Sequence, residues 1–174
     1  KNMKKILHLT VFLALIAALA GGALAFANNM TAPVIAANEL AAEKENLKII
    51  YPDVSDDAFE VVEKDVSETI EKVFSVEGKG YIFKMNVAGY DGGTSFLVAL
   101  NEDGTVYDYV AISNGDTKGL GSKVTEQPFR DSLKGKDATT DEILDDVITG
   151  ATLSSKPILE GIQEAAKYQA DKLQ

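Results

Sequence analysis

The sequence predicts an α+β protein, an antiparallel sheet with packed helices, preceded by one N-terminal transmembrane helix. Three observations carry this expectation. An uncharged apolar run occupies residues 6–27 near the start of the chain. Apolar residues alternate between glycine-marked turns over 81–114, the period of a half-buried strand. From Ser154 onward, apolar residues recur at helical spacing.

The first element is the run from Ile6 to Ala27, 22 residues long, with Lys1, Lys4 and Lys5 before it. At 1.5 Å per residue it reaches about 33 Å, enough to cross a bilayer core. The lysines place its N-terminus in the cytoplasm by the positive-inside bias and the main domain outside, as a single-pass protein of the cell (inner) membrane. The competing reading is a cleaved signal peptide, since "ALAFA" has small residues in the pattern of a cleavage site. The length of the run favours the anchor. The expected organisation is an anchor over 1–30, a stalk or docking helix with its connector over 31–57, and an extracytoplasmic domain over 58–174.

Residues 31–50, "TAPVIAANELAAEKENLKII", place Val34, Ala37, Leu40, Ala41, Leu47 and Ile50 near helical spacing, and the helix is expected to begin near Pro33. Residues 58–77 read either as two short strands or as a strand and a helix; their Val, Ile, Phe and Thr content favours strands. "YIFKMNVAGY" (81–90) sets Tyr81, Phe83, Met85 and Val87 on one face. "TSFLVALNEDG" and "TVYDYVAISN" follow, joined by a hairpin signal at "NEDG". The polar, glycine-punctuated stretch 115–136 is long for a loop inside a domain, which points to a functional segment, with a short helical turn near 127–133. In the last helix Ile158, Leu159, Ile162, Ala165, Ala166 and Leu173 share one face. Ser154 or Ser155 is the expected N-cap, with Pro157 in the first turn.

Composition narrows the function. The net charge is −10, and setting aside Lys1, Lys4 and Lys5 leaves −13 on the remainder. Such a surface does not suit a nucleic-acid partner. Without cysteine the chain has no thiolates for an iron–sulfur cluster, and its single histidine, His8, lies in the apolar run. No metal site and no catalytic residue are therefore expected, and redox chemistry would need an organic cofactor.

The segment "DDVITGATLSSKP" (145–157) crowds Thr149, Thr152, Ser154 and Ser155 around Gly150, just before the last helix. Residue types and spacing allow two readings. One is an ordinary turn and helix cap. The other is an anion site, because a helix N-terminus presents unpaired N–H groups and partial positive charge.

"DVITGAT", Asp146 to Thr152, resembles the acceptor motif of the covalent FMN-binding domain family. "DTKGLG" (116–121) resembles that family's Glu-Thr-Pro-Gly-Leu-Gly loop near the flavin, and "GYDGGTSFLVALNEDGTV" (89–106) resembles the strand pair before it. The likeness runs from about Gly80 to the end of the chain. It implies FMN joined by a phosphoester to Thr152, placed there by a flavin transferase. Asp146, Thr149, Gly150 and Ala151 complete the recognised pattern, and Thr117, Gly119, Leu120 and Gly121 line the flavin. Ser154, Ser155 and Lys156 are candidate phosphate contacts. Asp116 stands for the family's Glu. Lys118 stands for its Pro, which removes a fixed φ and adds a cation that suits the flavin phosphate.

With the anchor, the chain resembles the flavin subunits of ion-pumping membrane oxidoreductases. Its compact length favours the ferredoxin:NAD oxidoreductase (Rnf) type over the C-type subunit of the sodium-pumping NADH:quinone reductase. The implied role is a membrane-anchored electron-transfer subunit, a redox part of a translocase and not catalytic alone, working with the other membrane and peripheral subunits of such a complex. The rival class is a non-redox anchored protein, either a binding module with a pocket at 115–121 or a pilin-like structural subunit. Pilin-like chains usually carry a glutamate near the start of the apolar run, and residues 6–27 hold no carboxylate.

Overall fold

The computed structural model describes residues 2–173. Lys1 and Gln174 lie outside them, as do the side chains of Asn2, Ala36, Ala37, Glu39, Leu40 and Asp146. The chain divides into two units, one through Glu43 and one from Lys44 onward.

The N-terminal unit is helical. Helix α1 runs from Asn2 to Ile50, and Met3–Ile35 within it is long and apolar enough to cross a membrane. The expected helix start near Pro33 is corrected: Pro33 lies inside α1. An interior proline forfeits one backbone hydrogen bond and costs about 3 kcal/mol. The alanine-rich sequence on both sides is strongly helix-forming, so the helix continues through it.

The second unit is built on a five-stranded antiparallel meander, β1 (Phe59–Lys64), β2 (Ile70–Val76), β3 (Gly80–Val87), β4 (Thr94–Leu100) and β5 (Val106–Asn114), in sequential order. Residues 58–77 thus form two strands, as their β-branched content favours. The β3–β4 pairing runs in register from Tyr81↔Leu100 to Val87↔Thr94. The β4–β5 turn is closed by Gly104 N–H donating to Asn101 O (3.0 Å) and Asn101 N–H to Thr105 O (2.9 Å).

Both faces of this sheet are apolar. Strand β4 reads as a continuous apolar run because it is buried on both sides, Phe96, Val98 and Leu100 facing one way and Leu97 and Ala99 the other. The first face packs under helices α2 (Gln127–Leu133) and α3 (Thr152–Lys172) through Phe129, Leu133, Ile158, Leu159, Ile162, Ala165 and Ala166. The second face, with Phe74, Val76 and Ile82, is covered by Leu47, Ile50 and Tyr51 from the end of α1. Burying a Leu or Ile side chain contributes about 1.5–3 kcal/mol. Leu47 and Ile50 together therefore supply several kcal/mol, a sizeable part of a domain's usual net stability of about 5–15 kcal/mol. The folded unit accordingly takes in the last turns of α1.

Helix α2 is fastened to β5 by a bidentate ion pair. Arg130 Nε and Nη2 donate to Asp108 Oδ1 (2.7 Å) and Oδ2 (2.6 Å), and the Tyr109 N–H donates to Asp108 Oδ1 (2.8 Å). Burial pushes the Asp108 carboxyl up, but the Arg130 and backbone donors outweigh it and hold it below the ordinary carboxylate range. A depressed carboxyl stabilises the fold above its unfolded pKa, and that contribution is lost as pH falls through the lower folded value. Asp108→Asn should therefore destabilise the domain at neutral pH by about 3 kcal/mol, because it leaves the Arg130 charge without its partner. Urea titrations of the detergent-solubilised chain should show that deficit at pH 7 and a smaller one in the acid range below the ordinary aspartate pKa.

Candidate flavin site

After β5 the chain turns back through residues 115–126. Leu120 N–H and Ser122 N–H both donate to Thr117 O (3.2 and 3.3 Å), and Gly119 N–H donates to Ser122 Oγ (2.8 Å). These bonds shape the loop at the position where Lys118 replaces a proline. A 3-10 turn over Gly121–Thr125 then leads to α2.

The second segment of the site precedes α3. A 3-10 turn over Asp141–Asp146 is followed by a tight turn in which Ala151 N–H donates to Ile148 O (2.9 Å). Gly150 has φ +82°, a conformation that L side chains seldom adopt, which is why glycine follows Thr149. Helix α3 begins at Thr152, with Ala151 as the residue before it.

The expected cap at Ser154 or Ser155 is thus corrected. Ser154 and Ser155 N–H groups both donate to Ala151 O (3.1 and 2.9 Å), so both residues are already inside the helix. Pro157 is interior and not in the first turn. Ser155 is fully buried. Its hydroxyl accepts from Ile148 N–H (3.0 Å) and donates to Ala151 O (3.0 Å), tying the turn to the helix.

These two segments meet. A pocket of about 390 Å³ is lined by Tyr90, Thr117, Leu120, Gly121, Gly150, Ala151, Thr152, Leu153 and Ser154. Of the residues expected at the site, Thr117, Leu120, Gly121, Gly150, Ala151, Thr152 and Ser154 line it. Gly119, Thr149, Ser155 and Lys156 do not. Gly119 and Ser155 shape the two loops, Thr149 is exposed in the turn, and Lys156 pairs with Glu160 along α3 (3.6 Å). Asp146 belongs to the 3-10 turn, and its side chain lies outside the described residues.

Thr152 is exposed at the first position of a 21-residue helix. The N–H groups of Thr152 and Leu153 precede the first bonds of the helix, which run from Ser154 and Ser155 to Ala151 O, and the helix dipole favours negative charge. The lining is mainly apolar, with the hydroxyls of Thr117, Thr152 and Ser154 among it. This donor set fits a ligand with a planar apolar body and an anionic tail. Gly121 lets the two loops close on each other: a Cβ there would fall 2.5 Å from both Asp116 Cβ and Ser154 Oγ.

Spacing alone does not single out Asp116, Tyr90 or Leu153. Asp116 is buried, and its Oδ1 accepts the N–H groups of Asp91 (2.9 Å) and Gly92 (3.3 Å). Burial pushes its carboxyl up, but those amides, that of Gly93 and the Ser154 hydroxyl prevail and hold it below the ordinary value. Tyr90 lies in a glycine-rich turn, and an aromatic residue in such a setting is the one signal the sequence offers for it.

Residues 89–167 match the FMN-binding domain family, a span that contains every residue of the pocket. Residues 2–50 match the RnfG N-terminal region. It is 28% identical to the G subunit of the proton-translocating ferredoxin:NAD(+) oxidoreductase complex of Clostridium ljungdahlii, over 96% of this chain and 93% of that protein. It is 29% identical to the G subunit of the Na(+)-translocating ferredoxin:NAD(+) oxidoreductase complex of Acetobacterium woodii, over 92% and 90%. It is 24% identical to the G subunit of the ion-translocating oxidoreductase complex of Methanosarcina acetivorans, over 96% of both chains.

The separate roles of the serines can be tested directly. Ser155→Ala removes two buried hydrogen bonds and leaves a buried N–H unpaired, at a cost of about 1–3 kcal/mol. Ser154→Ala, at the pocket wall, should cost less. Denaturant midpoints of the two variants should separate in that order.

Proposed function

We propose that this chain is the membrane-anchored, FMN-bearing electron-transfer subunit of an ion-translocating ferredoxin:NAD oxidoreductase complex of the Rnf type. One observation carries the reading. Two segments about thirty residues apart in sequence, each resembling a flavin motif, line a single pocket with Thr152 exposed at a helix N-terminus.

In this reading the Thr152 hydroxyl is the attachment point, joined to the FMN phosphate by a phosphoester formed by a flavin transferase. Asp146, Thr149, Gly150 and Ala151 present that threonine. The turn before α3 suits such presentation, because Gly150 carries no side chain and a Cβ there would meet nothing within 4 Å. The N–H groups of Thr152 and Leu153 are the donors for the phosphate, and Thr117 adds a hydroxyl at the pocket wall. Leu120 and Leu153 supply apolar surface for the ring and keep water from part of it. When bound, FMN supplies the electron-carrying chemistry; the chain positions it and sets its surroundings. A tether at the phosphate keeps the cofactor from being lost while the ring stays reachable by neighbouring subunits.

The apolar part of α1 holds the subunit in the membrane, with Lys4 and Lys5 on the cytoplasmic side and the sheet domain outside. The domains are read as an anchor over 1–30, a stalk or docking helix with its connector over 31–57, of which Leu47, Ile50 and Tyr51 pack on the sheet, and the flavin domain over 58–174. The other subunits of the complex are the electron donors and acceptors.

The test is flavin fluorescence in a denaturing gel. The chain produced together with a flavin transferase should give a fluorescent band, and Thr152→Ala should abolish it. Thr149→Ala should reduce attachment without moving its site. A dark wild-type band, or undiminished fluorescence in Thr152→Ala, would sink the assignment.

A further inference from the structure

Tyr90 is not explained by folding. It is 70% exposed and lines the pocket with Leu120 and Leu153, which are also exposed. Apolar side chains exposed singly are ordinary. Three that converge on one concave site form a surface facing a ligand.

The backbone that carries Tyr90 is firmly held. Asp116 Oδ1 accepts from Asp91 N–H and Gly92 N–H, the two residues that follow it. Before Tyr90, a Cβ at Gly89 would fall 2.3 Å from Asp116 Oδ2; after it, one at Gly92 would fall 2.8 Å from Gly115 Cα. The loop is therefore pinned before and after residue 90 while the phenol ring is left to solvent. Rigid backbone beneath an exposed ring is the arrangement of a preorganised contact, since little freedom remains to be lost when a ligand binds. The same carboxylate abuts the other half of the pocket, because Gly121 and Ser154 lie against it. Its Oδ2 is buried against Gly89.

We propose that Tyr90 contacts the face of the flavin ring and that Asp116 is its positioning residue, fastening the 89–93 loop so that the phenol stands as an aromatic wall of the pocket. This rests on the flavin reading above and adds the groups that would hold the ring. Aromatic rings pair by offset or edge-on contact, and a planar heteroaromatic ring in an apolar slot meets that geometry. A phenol donates an electron readily to an excited flavin. Contact with Tyr90 therefore quenches flavin emission in the folded protein, and denaturation restores it.

The experiment uses the full chain, produced with the transferase and purified in detergent. Each variant is read twice, by flavin fluorescence in a denaturing gel and by native emission per flavin absorbed. Read per flavin attached, Tyr90→Ala should lose the native quench, whereas Tyr90→Trp should keep it. Asp116→Asn, and Gly89→Ala, which displaces the loop while keeping the carboxylate, should each lose part of the quench. A native quench unchanged in Tyr90→Ala would overturn the contact. Wild-type quench in both Asp116→Asn and Gly89→Ala would overturn the positioning role. A dark wild-type gel band would strike the covalent assignment instead. The same variants titrated with free FMN would then decide the contact, with quenching of the added FMN by wild type and Tyr90→Trp but not by Tyr90→Ala.

Discussion

The two-faced sheet is the constraint from which the rest of the domain follows. Strands β3 and β4 carry large apolar side chains on both sides, so each face needs a cover before the strands are stable in water. Helix α3 and the short α2 supply one. The last turns of α1 supply the other through Leu47 and Ile50. The end of α1 is thus more than an attachment, because it is part of the hydrophobic core of the domain that follows. Packing α3 on its face of the sheet also brings its N-terminus beside the loop that leaves β5, and the pocket forms where these two meet.

At that junction a strongly acidic chain offers a place suited to an anion. The net charge of −10 argues the other way only at long range. Charges beyond about 8–10 Å are largely screened at physiological salt, so the near field decides. There the N–H groups of Thr152 and Leu153, at the positive end of the α3 dipole, lie nearer than the distant carboxylates. The carboxylate near the site, Asp116, has its charge taken up by backbone amides of the 91–93 turn. Its charge is spent on holding loops together. A buried carboxylate serving structure and a helix terminus left open for a ligand are complementary uses of the same kind of backbone donor.

Much of this is legible in the sequence because it follows from local periodicity. The alternation of Phe83, Met85 and Val87 and the turn chemistry at Gly104 mark strands and a hairpin by geometry that every β-sheet shares. The start of the last helix is legible to within three or four residues. The Ser154–Ser155 pair has the composition of a cap, yet the backbone closes on Ala151 first, because the Ser155 hydroxyl is used to pin Ile148. Pro33 has the look of a helix start because proline favours first turns. Strong helix formers on both sides let the helix run past it.

The sequence by itself determined the apolar helix near the start of the chain, the three successive strands over 81–114, the last helix and the two loops with flavin-like motifs. Each of these is written in residues close together along the chain. Only the tertiary structure decided that Thr117, Leu120 and Gly121 share a pocket with Thr152, and that Ser155 and Gly119 serve the loops from outside its lining. It likewise decided that Asp116 fastens the turn carrying Tyr90. Those relations join segments about thirty residues apart, and they arise only when burial of both sheet faces fixes where α3 must lie.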